Sequence, residues 1–305
     1  MNISWRPILQ LARPAHWVKN VVVFMPLVFS RRMNDLDAWL SACHILALFC
    51  CLSSIAYIVN DIRDYKIDRL HPAKKKRPLA AEMLSRRAAV VEAVMFLGLA
   101  IFLAVRLPAI LRILALAFLV LQICYTFLLK REPLLDVLTI ALGFVLRTYS
   151  GTIAIRSEIS PWLFICIFTI CLFLGFCKRY NELVTFVDQN AARKHRRILG
   201  TYSPELLTHL ITVSAGIAVL AFLSYAVNDS TIERFGTNYF VYTLPVVIYS
   251  IFRFAMLSMN GAYSDPTDII LHDRPFQFAA LLWALSALII ILWGKDICAW
   301  LQMYY

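Results

Sequence analysis

The chain has 305 residues, 61% of them apolar and 16% charged, with a net charge of +11. Soluble domains carry about 25% charged residues, and the mean hydropathy here is +0.70, which excludes a soluble globular protein and indicates a polytopic membrane chain. In such a chain an excess of Lys and Arg reports loops facing the cytoplasm and anionic lipid, so no nucleic-acid partner is expected.

The first twenty residues contain Arg6, Arg13 and Lys19 but no apolar core followed by a small-residue cleavage site, so no cleaved signal is expected. Apolar segments near the roughly 20 residues that a bilayer requires then run over 16–31, 38–60, 88–105, 108–129, 133–155, 160–178, 208–227, 238–258 and 275–294. The first has the shortest apolar run and is bracketed by Pro14 and Pro26. Pro108, Pro133, Pro161 and Pro275 fall at helix starts, where the missing N–H costs nothing. Trp17, Lys19 and Asn20 stand where the first segment enters the membrane, an arrangement that fits an interfacial anchor as well as a substrate contact. Lys and Arg are about threefold more numerous at the N-terminus and after even-numbered segments than elsewhere outside the spans. That bias puts the N-terminus and the loops 61–87 and 179–207 in the cytoplasm.

Following the second segment, residues 60–78 read NDIRDYKIDRLHPAKKKRP. If the helix continues into them, Asp61, Asp64 and Asp68 fall at i, i+3 and i+7 on one face, with Asn60 beside it. Lys74, Lys75, Lys76 and Arg77 follow, suited to holding phosphate. Oxygen ligands followed by a cationic cluster are what Mg2+ carrying a diphosphate needs. The same charges also fit a solvated loop with helix-side ion pairs.

Further along, Arg147 lies inside the fifth segment, where an arginine is costly unless it faces a wet anionic cavity, pairs internally with a group such as Asp136, or snorkels. Asp136 itself also fits a helix N-terminal charge. KRYNEL at 178–183 closes the sixth segment, where Lys178 and Glu182 at i, i+4 fit either a surface pair or a place in a site with Arg179. It leads through Asp188 to RKHRR at 193–197, as the acidic comb leads to KKKR at 74–77. This likeness suggests a weak internal repeat with a site where the halves meet. A third cytoplasmic loop holds Asp265, Asp268 and Asp273, with no role legible in the sequence. The eight cysteines form no CxxC pair and read as small apolar residues. His16, His44 and His209 are isolated, and no Gly-rich phosphate loop, GxSxG or HExxH occurs.

NDIRDYKID followed by HPAKKKRPLA resembles the NDxxDxxxD signature of the UbiA superfamily of intramembrane prenyltransferases, and the nine segments cover essentially the whole chain. The resemblance implies an all-α polytopic membrane protein over residues 1–305, with nine transmembrane helices around a central cavity under cytoplasmic cap loops at 61–87 and 179–207. It implies Mg2+ at Asn60, Asp61, Asp64 and Asp68, with Asp61 and Asp64 catalytic. The second half departs from the pattern: KRYNEL stands where most of the superfamily has a second aspartate pair. With RPAHWVKN, SPELL and DIILHDRPFQ, that departure resembles the branch that transfers phosphoribosyl groups to decaprenyl phosphate. The branch implies a plasma-membrane enzyme whose partners are phosphoribosyl diphosphate and a polyprenyl phosphate. Lys19, Tyr65, Lys74, Arg77, Arg147, Lys178, Arg179 and Glu182 are then the expected substrate contacts. Two rival readings are an aromatic prenyltransferase using a polyprenyl diphosphate and an organic-anion transporter with Arg147 as counter-ion.

Overall fold

A computed structural model of the chain describes residues 5–70, 74–158, 160–185, 200–261 and 266–302. The basic run 193–197 and Asp265 lie outside them. The described residues are helical, with no strand among them: α1 (Trp5–Ala12), a 3-10 run Pro14–Phe24, α2 (Met25–Phe29), α3 (Leu36–Asp68), α4 (Arg86–Val105), α5 (Ala109–Phe127), α6 (Leu135–Ala154) and α7 (Pro161–Thr185). After them come α8 (Pro204–Val227), α9 (Asp229–Phe235), α10 (Leu244–Met259), α11 (Pro266–His272) and α12 (Arg274–Gln302). Among the described residues, eight helices are long and apolar enough to cross a membrane.

The first expected span, 16–31, takes a different form. It is the 11-residue 3-10 run continued by the 5 residues of α2. Pro14 opens the 3-10 run and Pro26 lies in the first turn of α2, so each piece has a proline at its start, where the missing amide hydrogen costs little. The tighter coil rises about 2 Å per residue against 1.5 Å, so these sixteen residues reach about 30 Å, the thickness of a hydrocarbon core.

α3 organises the first compact unit, which comprises residues 1–27, 32–132 and 146–157. Asp35 caps it, its carboxylate accepting from the Ala38 amide at 3.1 Å, and the neighbouring guanidinium of Arg32 helps hold that carboxyl below its usual range. At 33 residues the helix is about 50 Å long, some 20 Å more than the hydrocarbon core, so its polar C-terminal turns stay helical beyond the apolar part. It packs against α1, the 3-10 run, α4 and α5. Val23, Leu27, Ile45, Phe49, Leu52 and Phe118 form the core, with the Phe49 and Phe118 rings edge to face at 5.0 Å. His44 serves the fold, its Nε2 lying 2.7 Å from the Leu103 carbonyl. Lipid tails are as apolar as leucine, so close approach matters more than burial for such helices. Gly151 of α6 shows it: a Cβ there would stand 2.3 Å from the Val23 carbonyl oxygen.

The second unit comprises residues 28–31, 133–145 and 158–305. Its main packing is α7 on α8, with α10 against both and against α12. Val137, Phe173, Phe176, Leu207, Ile211 and Phe254 make its core. Arg253, the other arginine within a span, is matched by Asp273, with Nε and Nη2 on the two carboxylate oxygens at 2.6 and 2.8 Å. Asp273 also accepts from the Phe276 amide at the start of α12. The acid of the third loop, itself buried, therefore caps a helix and neutralises a half-buried cation.

Candidate active site

In the first unit the comb is helical throughout, as its spacing predicts: Asn60, Asp61, Asp64 and Asp68 ride the last turns of α3. Asp61 and Asp68 are buried, and the Asp64 side chain is 22% exposed. Three carboxylates this close repel unless cations intervene, and the fold supplies three. Arg77 donates Nη1 to Asp61 at 3.1 Å and to Asp68 at 2.6 Å, tying the basic cluster back onto the helix. Lys130 places its ammonium 3.0 Å from Asn60 Oδ1 and 2.5 Å from Asp64 Oδ2. Arg13 pairs with Asp61 from the N-terminal side and stands 5.1 Å from the Tyr57 ring.

The comb is thus divided into two oxygen sets, each bridged by one cation. Asn60 and Asp64, four positions apart, share Lys130; Asp61 and Asp68, seven apart, share Arg77.

Local folding explains the placements. Arg13 sits at the break between α1 and the 3-10 run with φ 53, a left-handed conformation uncommon outside glycine. Lys130 follows α5 in a 3-10 turn Leu129–Arg131. Arg63 of α3 anchors that corner by donating to the Thr126 carbonyl and stacking its guanidinium 4.6 Å from the Phe127 ring. Arg13 and Lys130 were not among the expected site residues. The signal available for Lys130 was its membership in a loop assigned to the cytoplasmic side.

The comb's oxygens suit Mg2+. Among the described residues no three His, Cys, Asp or Glu groups form a closed cage. Mg2+ does not require one: it is held by one or two carboxylates plus substrate phosphates and keeps waters. Asn60 Oδ1 and Asp64 Oδ2 already converge on one positive centre, the Lys130 ammonium, so the donor pair has the chemistry and direction needed for a cation.

The other expected contacts in this unit lie as follows. Lys74 heads a 3-10 turn Lys74–Lys76. Lys19 is exposed beside the fully buried Asn20. Asn20 Oδ1 accepts from Arg147 Nε at 2.6 Å and from Ser53 at 3.3 Å, and the Arg147 guanidinium lies 4.6 Å from the Phe118 ring. A buried amide and an aromatic face thus accommodate the arginine within the span. Tyr65 is buried, its ring facing Arg86 at 4.0 Å and Arg69 at 5.4 Å.

In the second unit α7 stays helical through KRYNEL. Arg179 is 2% exposed and held between two carboxylates, Asp136 at 2.8 Å from its Nε and Glu182 on Nη1. Tyr202 donates to Asp136 at 3.2 Å and accepts from the Leu134 amide at 2.6 Å. Burial pushes its hydroxyl up to about 12, so it stays a neutral donor. Arg179, an expected substrate contact, is thus engaged in an internal network with Asp136 and Glu182. Lys178, next to it, is half-buried.

A family model described as the UbiA prenyltransferase family matches residues 21–268. The decaprenyl-phosphate phosphoribosyltransferase of Mycolicibacterium smegmatis is 28% identical over 90% of this chain and 89% of its own length. Its namesake from Corynebacterium glutamicum is 31% identical over 90% of this chain and 83% of its own. A solved UbiA homologue from Archaeoglobus fulgidus bound to GPP and Mg2+ superposes with a TM-score of 0.71 at 18% identity, over 93% of this chain and 99% of that one. Identity at that level speaks to the fold alone.

Proposed function

The chain belongs to the UbiA prenyltransferase family of integral membrane transferases, and on that premise we propose that it transfers a 5-phosphoribosyl group from phosphoribosyl diphosphate to a polyprenyl phosphate, releasing diphosphate. The observation that carries the substrate assignment is the match with relatives named decaprenyl-phosphate phosphoribosyltransferase along 83% and 89% of their lengths. KRYNEL supports it, since a cationic sequence in that place suits a sugar phosphate better than a second metal–diphosphate pair.

Mg2+, when bound, would neutralise the departing diphosphate. Asn60 and Asp64 are the oxygens best placed to hold it, with Asp61 and Asp68 completing the acidic face. Arg77, Lys74 and Lys130 bring positive charge to where diphosphate oxygens separate from the sugar. The bond from C1 to the diphosphate oxygen breaks while a lipid phosphate oxygen bonds to C1 from the opposite face, giving inversion. A lipid phosphate is already anionic at neutral pH, so no side chain need take a proton. The chain's part is binding and orientation. Lys178 suits the 5-phosphate and Glu182 a ribose hydroxyl; Arg179 then acts by orienting Glu182. Lys19 and Arg147 suit the lipid phosphate. The Lys and Arg bias supports a cytoplasmic orientation for this chemistry, and the proposed membrane is the plasma membrane.

One incubation tests the reading: purified protein with Mg2+ and either polyprenyl phosphate plus phosphoribosyl diphosphate, or polyprenyl diphosphate plus an aromatic acid. Phosphoribosylated lipid only in the first arm is expected. Prenylated aromatic product in the second arm overturns the donor assignment.

A further inference from the structure

Outside the comb, one pocket of about 290 Å³ opens between the end of α3 and the start of α4, lined by Tyr65, Arg69, Leu79, Glu82, Ser85 and Arg86 among others. That volume is at the low end for ligand sites, a size for a headgroup more than for a whole lipid. Two guanidiniums face one ring here, Arg86 at 4.0 Å and Arg69 at 5.4 Å from the Tyr65 centroid. Glu82 balances Arg69 at 2.5 Å, whereas among the described residues no carboxylate pairs with Arg86. The pocket therefore keeps a net positive charge.

Its position gives the charge a meaning. Ser85 caps α4, accepting from the Ala88 amide, and α4 is a 20-residue membrane-length helix beginning at Arg86. Arginines at such a boundary sit at headgroup level. From Arg86 an exposed apolar stripe continues along α4 at i+4, i+8 and i+11, through Val90, Val94 and Leu97, and Met83, between the lining residues Glu82 and Leu84 in sequence, is exposed as well. A cationic recess leading into an apolar track matches a phosphate group attached to acyl chains.

We propose that this pocket binds the phosphate headgroup of an anionic phospholipid, with Arg86 and Arg69 as the headgroup cations and the exposed face of α4 as the acyl track. Tyr65, an expected substrate contact, belongs on this reading to the lipid pocket. The inference does not rest on the transferase reading.

The test is native mass spectrometry of the full chain in non-ionic detergent, titrated separately with dioctanoyl phosphatidylglycerol, dioctanoyl phosphatidylcholine and inorganic phosphate. One bound phosphatidylglycerol is expected, weakened about tenfold by Arg86→Gln or Arg69→Gln, since a charge-assisted hydrogen bond contributes about that much. Arg87→Gln, outside the pocket lining, should leave it unchanged. Should the arginine variants fail to fold, Val94→Ser decides: it should weaken phosphatidylglycerol without changing inorganic phosphate. Equal binding of phosphatidylcholine, equally tight inorganic phosphate, or phosphatidylglycerol binding indifferent to these substitutions would each overturn the proposal.

Discussion

The Lys130 ammonium lies 2.5 Å from Asp64 Oδ2, although 66 positions of chain separate the two residues. The same ammonium reaches Asn60, so one cation of the chain occupies the oxygen pair proposed for Mg2+. A ligand excluded from a site by an internal competitor binds more weakly than it otherwise would. Lys130→Met should therefore lower the Mg2+ concentration giving half-maximal thermal stabilisation, by several-fold, while raising the KM for the diphosphate donor. An unchanged Mg2+ titration would remove Lys130 from the metal pair.

Asp64→Asn keeps the shape and removes the charge that a metal needs. Turnover should fall by at least about a hundredfold, with the protein still inserted and monodisperse in detergent. Asp61→Asn should do the same. Activity near wild type in either variant would sink the role of the comb.

Arg179 holds two carboxylates, Asp136 and Glu182, in a buried setting. Removing one partner of such a group leaves uncompensated charge, at a cost of about 3–5 kcal/mol. Arg179→Met should lower the thermal midpoint by several degrees, and Arg179→Lys should not restore it, because an ammonium cannot reproduce the planar fork between two acids. A lysine variant as stable as wild type would contradict this geometry.

Gly151 and Gly98 make a matched pair. A Cβ at Gly151 collides with the Val23 carbonyl oxygen at 2.3 Å, whereas one at Gly98 meets nothing within 4 Å. Gly151→Ala should destabilise by about 1–3 kcal/mol and Gly98→Ala should be neutral or better. Thermal unfolding of both variants checks the close approach.

The Asp273 carboxyl is held below its usual range by hydrogen bonds from Arg253, against the opposing effect of burial. A depressed carboxylate stabilises above its unfolded pKa, about 3.9 for Asp, and loses that effect only as pH falls through the lower folded value. The stability gap between wild type and Asp273→Asn should thus stay constant from pH 8 to pH 5. A gap that shrinks across that window would mean that the carboxyl is not depressed.

Local properties of the sequence carried the spans and the comb. Apolar runs of bilayer length mark α3 to α8, α10 and α12, and the 3.6-residue period puts Asp61, Asp64 and Asp68 on one side of a helix whether or not anything packs there. Hydropathy reads the first segment as another span; it does not register that residues 14–24 form a 3-10 run, because composition is indifferent to which carbonyl an amide reaches. Arg179 was legible as a cation at a helix end, but its engagement by Asp136, from another helix, was not.

By itself, then, the sequence determined a helical membrane chain, its acidic comb and the family signature built on it, all set by periodicity and transfer free energy over a few turns. The partners of those acids were decided only by tertiary structure. Arg13 reaches Asp61 across 48 positions and Lys130 reaches Asp64 across 66, distances over which no sequence period operates. Coulombic pairing falls off with separation in space and is blind to separation along the chain, so only the packed helices could select which of 30 basic residues would meet the comb.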